Sequence, residues 1–162
     1  MSTAPPRFLC DHMLGSLAKW LRLLGYDTVY PGPLEDRGMA AKAYDEGRAL
    51  LTRDKELAGR VKGSLFIASD DLDAQIKTVV ERYRLITANT LTLCSVCNVA
   101  IVTVAKASVK ESVPPAVFEI QSEFWRCPSC SRVYWRGSHW EAMLERIERF
   151  GGGGDSSPGQ SD

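Results

Sequence analysis

The first half of the chain alternates short apolar runs with segments whose apolar residues recur every three or four positions. The first apolar run is Phe8 to Cys10, and the leucine spacing after it predicts a helix that ends at Gly25. In full, the predicted strands are 8–10, 26–30, 49–51 and 65–68, and the predicted helices are 13–24, 37–46, 55–62 and 72–83. Such alternation predicts an α/β fold, with a parallel sheet covered by helices on both faces.

The pattern changes after residue 85. Three segments have the composition of strands: Ala100 to Val104, Glu119 to Trp125, and Val133 to Trp135. From residue 151 the chain reads GGGGDSSPGQSD, which has little to bury and predicts a disordered tail. We therefore expect an α/β domain over 7–85, a small β-rich domain with a C-terminal helix over 86–150, and a tail over 151–162.

Composition and charge narrow the class of protein. The 162 residues are 44% hydrophobic and 25% charged, which is typical of a soluble globular chain, and no apolar run predicts a membrane span or a secretory signal. The 20 basic residues are balanced by 20 acidic residues, which argues against a protein that coats nucleic acid. A mild positive excess, eight basic against six acidic residues, lies in 84–150. We expect a cytoplasmic location.

Four of the five cysteines form two C-x-x-C pairs, Cys94 with Cys97 and Cys127 with Cys130. In a reducing compartment this pattern favours a metal site over disulfides. Four thiolates fill a tetrahedral site, so the predicted ion is a structural zinc, and the predicted strands around the pairs are typical of a zinc ribbon. A thioredoxin-like redox role is the alternative, and it would leave one pair unused. Cys10 is expected to be a buried apolar residue.

Acidic residues follow the predicted strands at their carboxyl ends, where open α/β sheets bind ligands. They are Asp11, Asp36, Asp54, Asp70 and Asp71. Several carboxylates at one edge favour a hard divalent cation, Mg²⁺ or Mn²⁺, which such acids could share with substrate phosphate. The alternative is that Asp11, Asp54 and Asp71 serve as helix N-caps, because each stands just before a predicted helix.

Aromatic and basic residues alternate around the second cysteine pair. Residues 125–136 read WRCPSCSRVYWR and contain no acidic residue. Aromatic faces between guanidinium groups are suited to base stacking and phosphate pairing in single-stranded nucleic acid. The alternative is that the aromatic side chains form a miniature core, which we expect in particular of Trp125.

Several stretches together resemble the Mut-seven-C ribonuclease family, a branch of the PIN-domain nucleases with an appended zinc ribbon. They are FLCDHMLGSLAKWLRLLGYDT (8–28), EDRGMAAKAYDEGRALLTRD (35–54), SDD (69–71), the two C-x-x-C pairs and YWRGSHW (134–140). The resemblance covers nearly all of 7–145. It implies a three-layer α/β/α PIN-like domain that cuts RNA with a metal ion held by clustered acids.

The resemblance also assigns roles to individual acids. Asp11 is similar to the family's first-strand acid, Asp54 to the acid of a T-x-D turn and Asp36 to the middle acid, while Asp70 or Asp71 would supply the last. Two positions depart from the family pattern. His12 stands where a small residue is usual, and Gly38-Met39 follow Asp36 where an acidic and then an apolar residue are commoner, so that Glu35 is a possible substitute.

Further residues are candidates for orienting the acids or binding RNA. Thr52 could hydrogen-bond the Asp54 carboxylate or a loop amide, or simply end its strand, and Arg53 could contact a phosphate or face solvent. The candidates for RNA contact in the second half are Arg126, Arg132, Trp135, Arg136 and His139. His139 is also suited to a structural role.

The sequence therefore predicts a Mg²⁺- or Mn²⁺-dependent ribonuclease whose zinc ribbon helps to hold RNA. Two other functions stay open: a non-catalytic RNA-binding adaptor on the same scaffold, and a metal-dependent phosphatase, which would leave the basic aromatic stretch unexplained. Whether a protein partner exists, and which RNA is cut, the sequence leaves open.

Overall fold

The computed structural model describes residues 4–31 and 35–151. The strands are β1 (Phe8–Cys10), β2 (Thr28–Val29), β3 (Ala49–Thr52), β4 (Leu65–Phe66), β5 (Val102–Val104), β6 (Phe124–Arg126) and β7 (Val133–Tyr134). The helices are α1 (Gly15–Leu23), α2 (Asp36–Glu46), α3 (Lys55–Arg60), α4 (Leu72–Tyr83), α5 (Pro115–Ile120) and α6 (Ser138–Gly151), with a 3-10 helix at Lys106–Val109. The predicted tail beyond Gly151 lies outside the described residues, as do residues 32–34.

The first four strands form one parallel sheet in the order β2-β1-β3-β4, which confirms the predicted parallel α/β arrangement. The strand order reverses at β1, so the carboxyl ends of the central strands β1 and β3 flank the switch point of the sheet. Strand β4 is shorter than predicted, because its partner β3 ends at Thr52, which pairs with Phe66. Beyond that point, Arg53 hydrogen-bonds the Ile67 and Ala68 carbonyls.

Alternate residues of β1 enter different hydrophobic clusters because strand side chains point to opposite faces. Phe8 and Cys10 pack with buried residues of α1, α4 and α6, whereas Leu9 packs with residues of β3, α2 and α3. Helices thus cover both faces of the sheet. Burial on both faces explains why β1 and β3 read as continuous apolar runs in the sequence.

The second sheet is antiparallel, in the order β5-β6-β7, as expected for a small β-rich unit. One predicted strand is wrong in its first half, because Glu119 and Ile120 end helix α5 and β6 begins only at Phe124. The physical reason is Pro115 at the first helical position, where the fixed proline φ favours helix and the missing N–H costs no hydrogen bond.

Helix α6 packs against the helices of the parallel sheet, although it follows the antiparallel sheet in the chain. Met143 and Ile147 are buried in the cluster that contains Val79 of α4. At the start of α6, Trp140 stacks on Trp20 of α1, with ring centroids 5.7 Å apart and 8° between the ring planes. The chain therefore returns to the parallel sheet after the cysteine-bearing segment, and the division at residue 86 stays a prediction. No helix among the described residues is long and apolar enough to cross a membrane.

Candidate functional site

The switch point of the parallel sheet is occupied by Asp11, which is only 5% exposed. Its Oδ1 accepts the Met13 amide at 3.0 Å, and its Oδ2 accepts both the Thr52 hydroxyl at 2.5 Å and the Arg53 amide at 3.0 Å. A carboxylate has about four acceptor positions, so these three bonds fix its orientation and leave one position, on Oδ1. The sequence-predicted first acid is thus a buried carboxylate held by both central strands.

Thr52 connects two of the predicted acids. It is fully buried, and its hydroxyl donates to Asp11 while accepting the backbone amide of Asp54 at 2.9 Å. Of the two partners predicted for it, the structure has the loop amide; the carboxylate that it contacts belongs to Asp11 rather than to Asp54. Thr52 therefore aligns the exits of β1 and β3 with each other.

Asp54 and Asp71 both serve as helix N-caps, as the capping alternative predicted, but the prediction is wrong for Asp11, because α1 begins only after Leu14. Asp54 Oδ1 accepts the Leu57 amide at 3.1 Å, and Asp71 Oδ2 accepts the Ala74 amide at 2.9 Å. In each turn a hydroxyl two residues earlier accepts the amide of the Asp, and Ser69 does so for Asp71 at 3.0 Å. Within the described part of the chain, each cap leaves its second carboxylate oxygen without a hydrogen-bond partner.

The remaining predicted acids, Asp36 and Asp70, are exposed, as are Asp54 and Asp71. Asp70 makes no hydrogen bond with any described residue. Asp36, the first residue of α2, forms a 2.9 Å ion pair with Arg60 of α3, and a pair this exposed is worth little stability. His12 is also exposed, and its backbone carbonyl accepts the Tyr30 hydroxyl at 2.7 Å.

Arg53 ties the two acid-bearing turns together. Its Nη2 donates to the Ala68 carbonyl at 2.9 Å and its Nε to the Ile67 carbonyl at 3.4 Å, just before Asp70 and Asp71. The guanidinium thus holds the exit of β4 against the exit of β3. The acids nevertheless do not form a tight cluster: over 4–31 and 35–151, the one group of three or more potential ligands close enough to share an ion consists of cysteines.

That group contains Cys94, Cys97, Cys127 and Cys130, whose Sγ atoms all lie within 4.8 Å of one another. Zn–S bonds of about 2.3 Å in a tetrahedron place sulfurs about 3.8 Å apart. The Cys94 and Cys130 sulfurs are 3.8 Å apart, so they fit a zinc ion. The first sulfur of each pair also accepts two backbone amides from its own loop, at 3.3 to 3.5 Å, which suits a thiolate.

The pKa values of these thiols favour the binding of a cation. Burial disfavours the Cys94 thiolate, but hydrogen bonds from the Tyr134 hydroxyl, 3.1 Å from the sulfur, and from backbone amides outweigh it and lower its pKa to about 6. A hydrogen bond with Ser129 favours the Cys97 thiolate, but partial desolvation, the neighbouring thiols and the charge of Cys94 raise its pKa to about 11. The thiols cannot all ionise at neutral pH unless a cation shares their charge.

Two residues that were not among the sequence-predicted candidates join the loop of the first cysteine pair to the first half of the chain. Arg22 donates to the Ser95 carbonyl at 2.9 Å and to the Val96 carbonyl at 3.1 Å. Asn98 donates to Asp27 Oδ1 at 2.8 Å and accepts the Thr28 amide at 3.1 Å. A signal for Arg22 was available: it is a cation on the apolar face of α1, four residues after a buried alanine.

The arginines predicted to contact RNA divide into engaged and free side chains. Arg126 lies 3.4 Å from the Ser108 carbonyl, and the Arg136 guanidinium lies over the Trp125 ring, 5.3 Å from its centroid. Arg132 is exposed and has no side-chain partner among the described residues. Arg132 is therefore the arginine of this set with neither a hydrogen bond nor a ring contact among the described residues, while the exposed Arg136 keeps its N–H donors free beside its ring contact.

The aromatic candidates pack against protein on at least one side. Trp135 meets Phe124 edge-on, with centroids 6.4 Å apart, and belongs to the small core of the second unit. His139 is exposed, but its ring contacts the edge of Trp20 at 6.0 Å. The miniature-core alternative thus describes part of this stretch, but the core residue is Trp135 and not Trp125, which is half-buried and lies outside that cluster.

One comparison with known proteins identifies a family. A family model described as Mut7-C RNAse domain matches residues 6–147, which includes the parallel sheet, the four cysteines and most of α6. The comparisons with curated proteins and with solved structures found no match. The matched domain points to a nuclease-type function and to RNA as the substrate. Because the match covers most of the sequence, the chain belongs to the Mut7-C RNAse domain family.

Proposed function

We propose that this protein is a metal-dependent ribonuclease whose reaction centre lies at the exits of β1, β3 and β4. The observation that carries the proposal is the buried Asp11 carboxylate at the switch point of the sheet. Three hydrogen bonds orient it, and one acceptor position on Oδ1 is left for a cation or a water. Such preorganisation is what a metal-binding or water-orienting carboxylate requires.

Two other carboxylates would complete the site. Asp54 has a free oxygen beside its capping oxygen, and Asp70 has both oxygens free among the described residues. Mg²⁺ or Mn²⁺ binds through one or two carboxylates together with substrate phosphate oxygens, so the ion would not need all three acids within reach at once. Such an ion would activate water and offset the charge on the phosphodiester. In this proposal, Arg53 positions the turns that carry the acids.

The proposal also assigns the two sheets to two domains. The parallel sheet with helices on both faces supports a PIN-like domain, and the β5-β6-β7 sheet beside four clustered cysteines supports a zinc ribbon. The ribbon would help to hold the RNA. A zinc-bound set of reduced cysteines is compatible with the predicted cytoplasmic location.

The test uses labelled single-stranded RNA and the full chain, with Mn²⁺, with Mg²⁺ or with chelator. The informative variants are Asp54→Asn, which keeps a side chain that can cap α3, and Asp70→Asn, which removes no hydrogen bond among the described residues. The control is Asp45→Asn on the exposed surface of α2. We expect metal-dependent cleavage that both site variants reduce and the control retains. Metal-independent cleavage, or full activity in both site variants, would overturn the proposal.

A non-catalytic RNA-binding adaptor is the second candidate. One observation favours it: over 4–31 and 35–151, no three acids lie close enough together to share an ion. The same experiment separates the two functions, since an adaptor binds RNA without cutting it under any metal condition. RNA binding with no cleavage in any metal would support the adaptor.

A further inference from the structure

Two cavities border the loop between Cys94 and Cys97 and share Val96. One, of about 420 Å³, lies between α1, Tyr30 and the loop that carries Ser95 and Val96. The other, of about 470 Å³, lies on the second sheet and is lined by Arg132 and Trp135 among others. Each volume is within the range of ligand pockets. Because Val96 contributes to both walls, the cavities meet at this side chain.

The lining of both cavities is cationic. Lys19 and Arg22 line the first and Arg132 lines the second, and no acidic residue lines either among those described. Lys19 and Arg132 are exposed and have no acidic partner in the described part of the chain. A zinc ion with four thiolates carries a net charge of about −2, which these three cations more than offset. The surface therefore fits an anionic ligand.

Arg22 makes the first cavity a built site rather than a patch of surface charge. It is 8% exposed, and its Nε donates to the Thr28 carbonyl at 2.8 Å. Its Nη1 donates to the Ser95 and Val96 carbonyls. Its Nη2 has no hydrogen-bond partner among the described residues, and the side chain lines the cavity. A guanidinium fixed at two nitrogens and open at the third is preorganised for a phosphate.

Aromatic rings and the position of the cavities indicate which anion. Tyr30 lines the first cavity and Trp135 the second, and aromatic rings beside cations are what single-stranded nucleic acid needs. The Tyr30 hydroxyl donates to the His12 carbonyl, in the loop that follows Asp11. Gly15, at the start of α1, also lines this cavity. The first cavity is thus attached to the loop that leaves the proposed reaction centre.

We propose that the two cavities form one groove for the single-stranded RNA substrate, which passes over Val96 from the loop after Asp11 to the zinc ribbon. Lys19 and Arg22 contact the backbone on the α1 side, and Arg132 contacts it on the ribbon side. This inference rests on the proposed ribonuclease function. Two residues of the groove, Arg132 and Trp135, are among the RNA-contact candidates predicted from the sequence. The other three, Lys19, Arg22 and Tyr30, were not predicted.

The test measures binding of a fluorescent single-stranded RNA of about twelve nucleotides to the full chain carrying Asp54→Asn, without divalent metal and over a range of salt. In that background, Lys19→Gln and Arg132→Gln each remove one cation, and Lys77→Gln on the exposed surface of α4 is the matched control. We expect each groove variant to weaken binding and to reduce the salt slope by about 0.7, the value for one phosphate contact on a single strand. The control should leave both quantities unchanged.

A third variant tests stacking. Tyr30→Leu should weaken binding about fivefold or more with the salt slope unchanged, because it removes a ring and no charge. An oligoglutamate of the same charge as the RNA should compete poorly with it for binding. If it competed as well as unlabelled RNA, the groove would be a cationic patch without preference for nucleic acid, and the RNA assignment would be overturned.

Failure of the groove is distinguishable from failure of the proposed function. Unchanged affinity and slope in both Gln variants, with the wild-type chain cutting RNA, would overturn the groove and leave the ribonuclease standing. Reduced slopes in both variants, with no cleavage by the wild-type chain in any metal, would support the groove on an adaptor.

Discussion

Thr52 and Asp11 join the exits of the two central strands by a buried hydrogen bond of 2.5 Å. The same hydroxyl accepts the amide of Asp54, so one side chain sets the relative position of two acids that are 43 positions apart in the sequence. This arrangement explains why an apolar strand ends in Thr-Arg-Asp. The threonine orients the neighbouring carboxylate, the arginine holds the next turn, and the aspartate caps a helix.

Replacement of Thr52 by Val should uncouple these acids while keeping the volume of the side chain. Loss of the hydroxyl leaves the Asp11 oxygen and the Asp54 amide each short of a partner, which should lower the free energy of unfolding by about 1–3 kcal/mol. Loss of an orienting partner should lower the metal-dependent cleavage rate roughly 10- to 100-fold. Urea unfolding and cleavage over a range of Mn²⁺ measure the two effects.

Thr52→Ser is the matched control, because it keeps the hydroxyl and loses one methyl group. It should retain most of the activity. If the Ser and Val variants lost activity equally, packing rather than hydrogen bonding would be the role of Thr52.

Local patterns in the sequence were sufficient to predict the parallel sheet and the cluster of four cysteines. Continuous apolar runs such as Leu50-Leu51 arise because parallel strands are buried on both faces, and the two C-x-x-C pairs predicted the cluster of four cysteines that could hold a metal ion. The capping role of Asp54 was also readable, since capping depends on residues three positions apart.

Contacts between residues far apart in the sequence could not be predicted from such local patterns. Asn98 and its partner Asp27 are 71 positions apart, and nothing local in the sequence indicates such a contact. The sequence predicted a C-terminal helix, but nothing local in the sequence indicates that this helix packs against α4. For residues 119–120, strand-favouring composition was misleading because the preceding prolines begin a helix.

Asn98 should be sensitive to substitution for two separable reasons. Its φ is +59°, in the left-handed region, and its side chain bonds both Asp27 and Thr28. Asn98→Gly keeps the backbone conformation accessible and loses the side-chain bonds, at a cost of about 1–2 kcal/mol. Asn98→Ala should cost about 1 kcal/mol more, because alanine is strained at positive φ.

Urea unfolding at saturating zinc measures both Asn98 variants. If the two variants were equally stable, the positive φ of Asn98 would not contribute to its sensitivity. If the Gly variant were as stable as the wild type, the side-chain hydrogen bonds of Asn98 would not stabilise the fold.

Removal of one thiol should abolish zinc binding while leaving the remaining cysteines reduced. We expect the wild-type chain to hold about one zinc ion and Cys127→Ser to hold little, because a site with three thiolates and a hydroxyl is weaker. Native mass spectrometry and elemental analysis measure the zinc content. A folded wild-type chain without zinc would refute the assignment.

Cys10→Ala is the control for the loss of a thiol. Cys10 is fully buried in β1, and burial raises the pKa of its thiol, so it should neither bind zinc nor react with alkylating agents in the folded chain. The Ala variant should therefore keep the full zinc content. Loss of zinc in this variant would show that thiol removal acts through the fold rather than through the ligand set.

Asp27 should make part of the stability depend on pH. Burial disfavours its carboxylate, but hydrogen bonds from Arg48 and Asn98 outweigh burial, so its pKa is lowered from 3.8. A group whose pKa is lower in the folded chain stabilises the fold above its unfolded pKa, and that contribution is lost as the pH falls through the folded value. Stability should therefore decrease below about pH 4 in part through Asp27.

Asp27→Asn isolates this contribution at those pH values where elemental analysis finds the same zinc content in both proteins. The difference in unfolding free energy between wild type and variant, measured by urea unfolding from pH 7 downwards, should be constant near neutrality and should shrink below about pH 4. A difference that stayed constant to low pH would mean that the Asp27 carboxylate does not titrate with folding. A difference that grew on acidification would reverse the sign, and the pKa would then be raised by burial rather than lowered by Arg48 and Asn98.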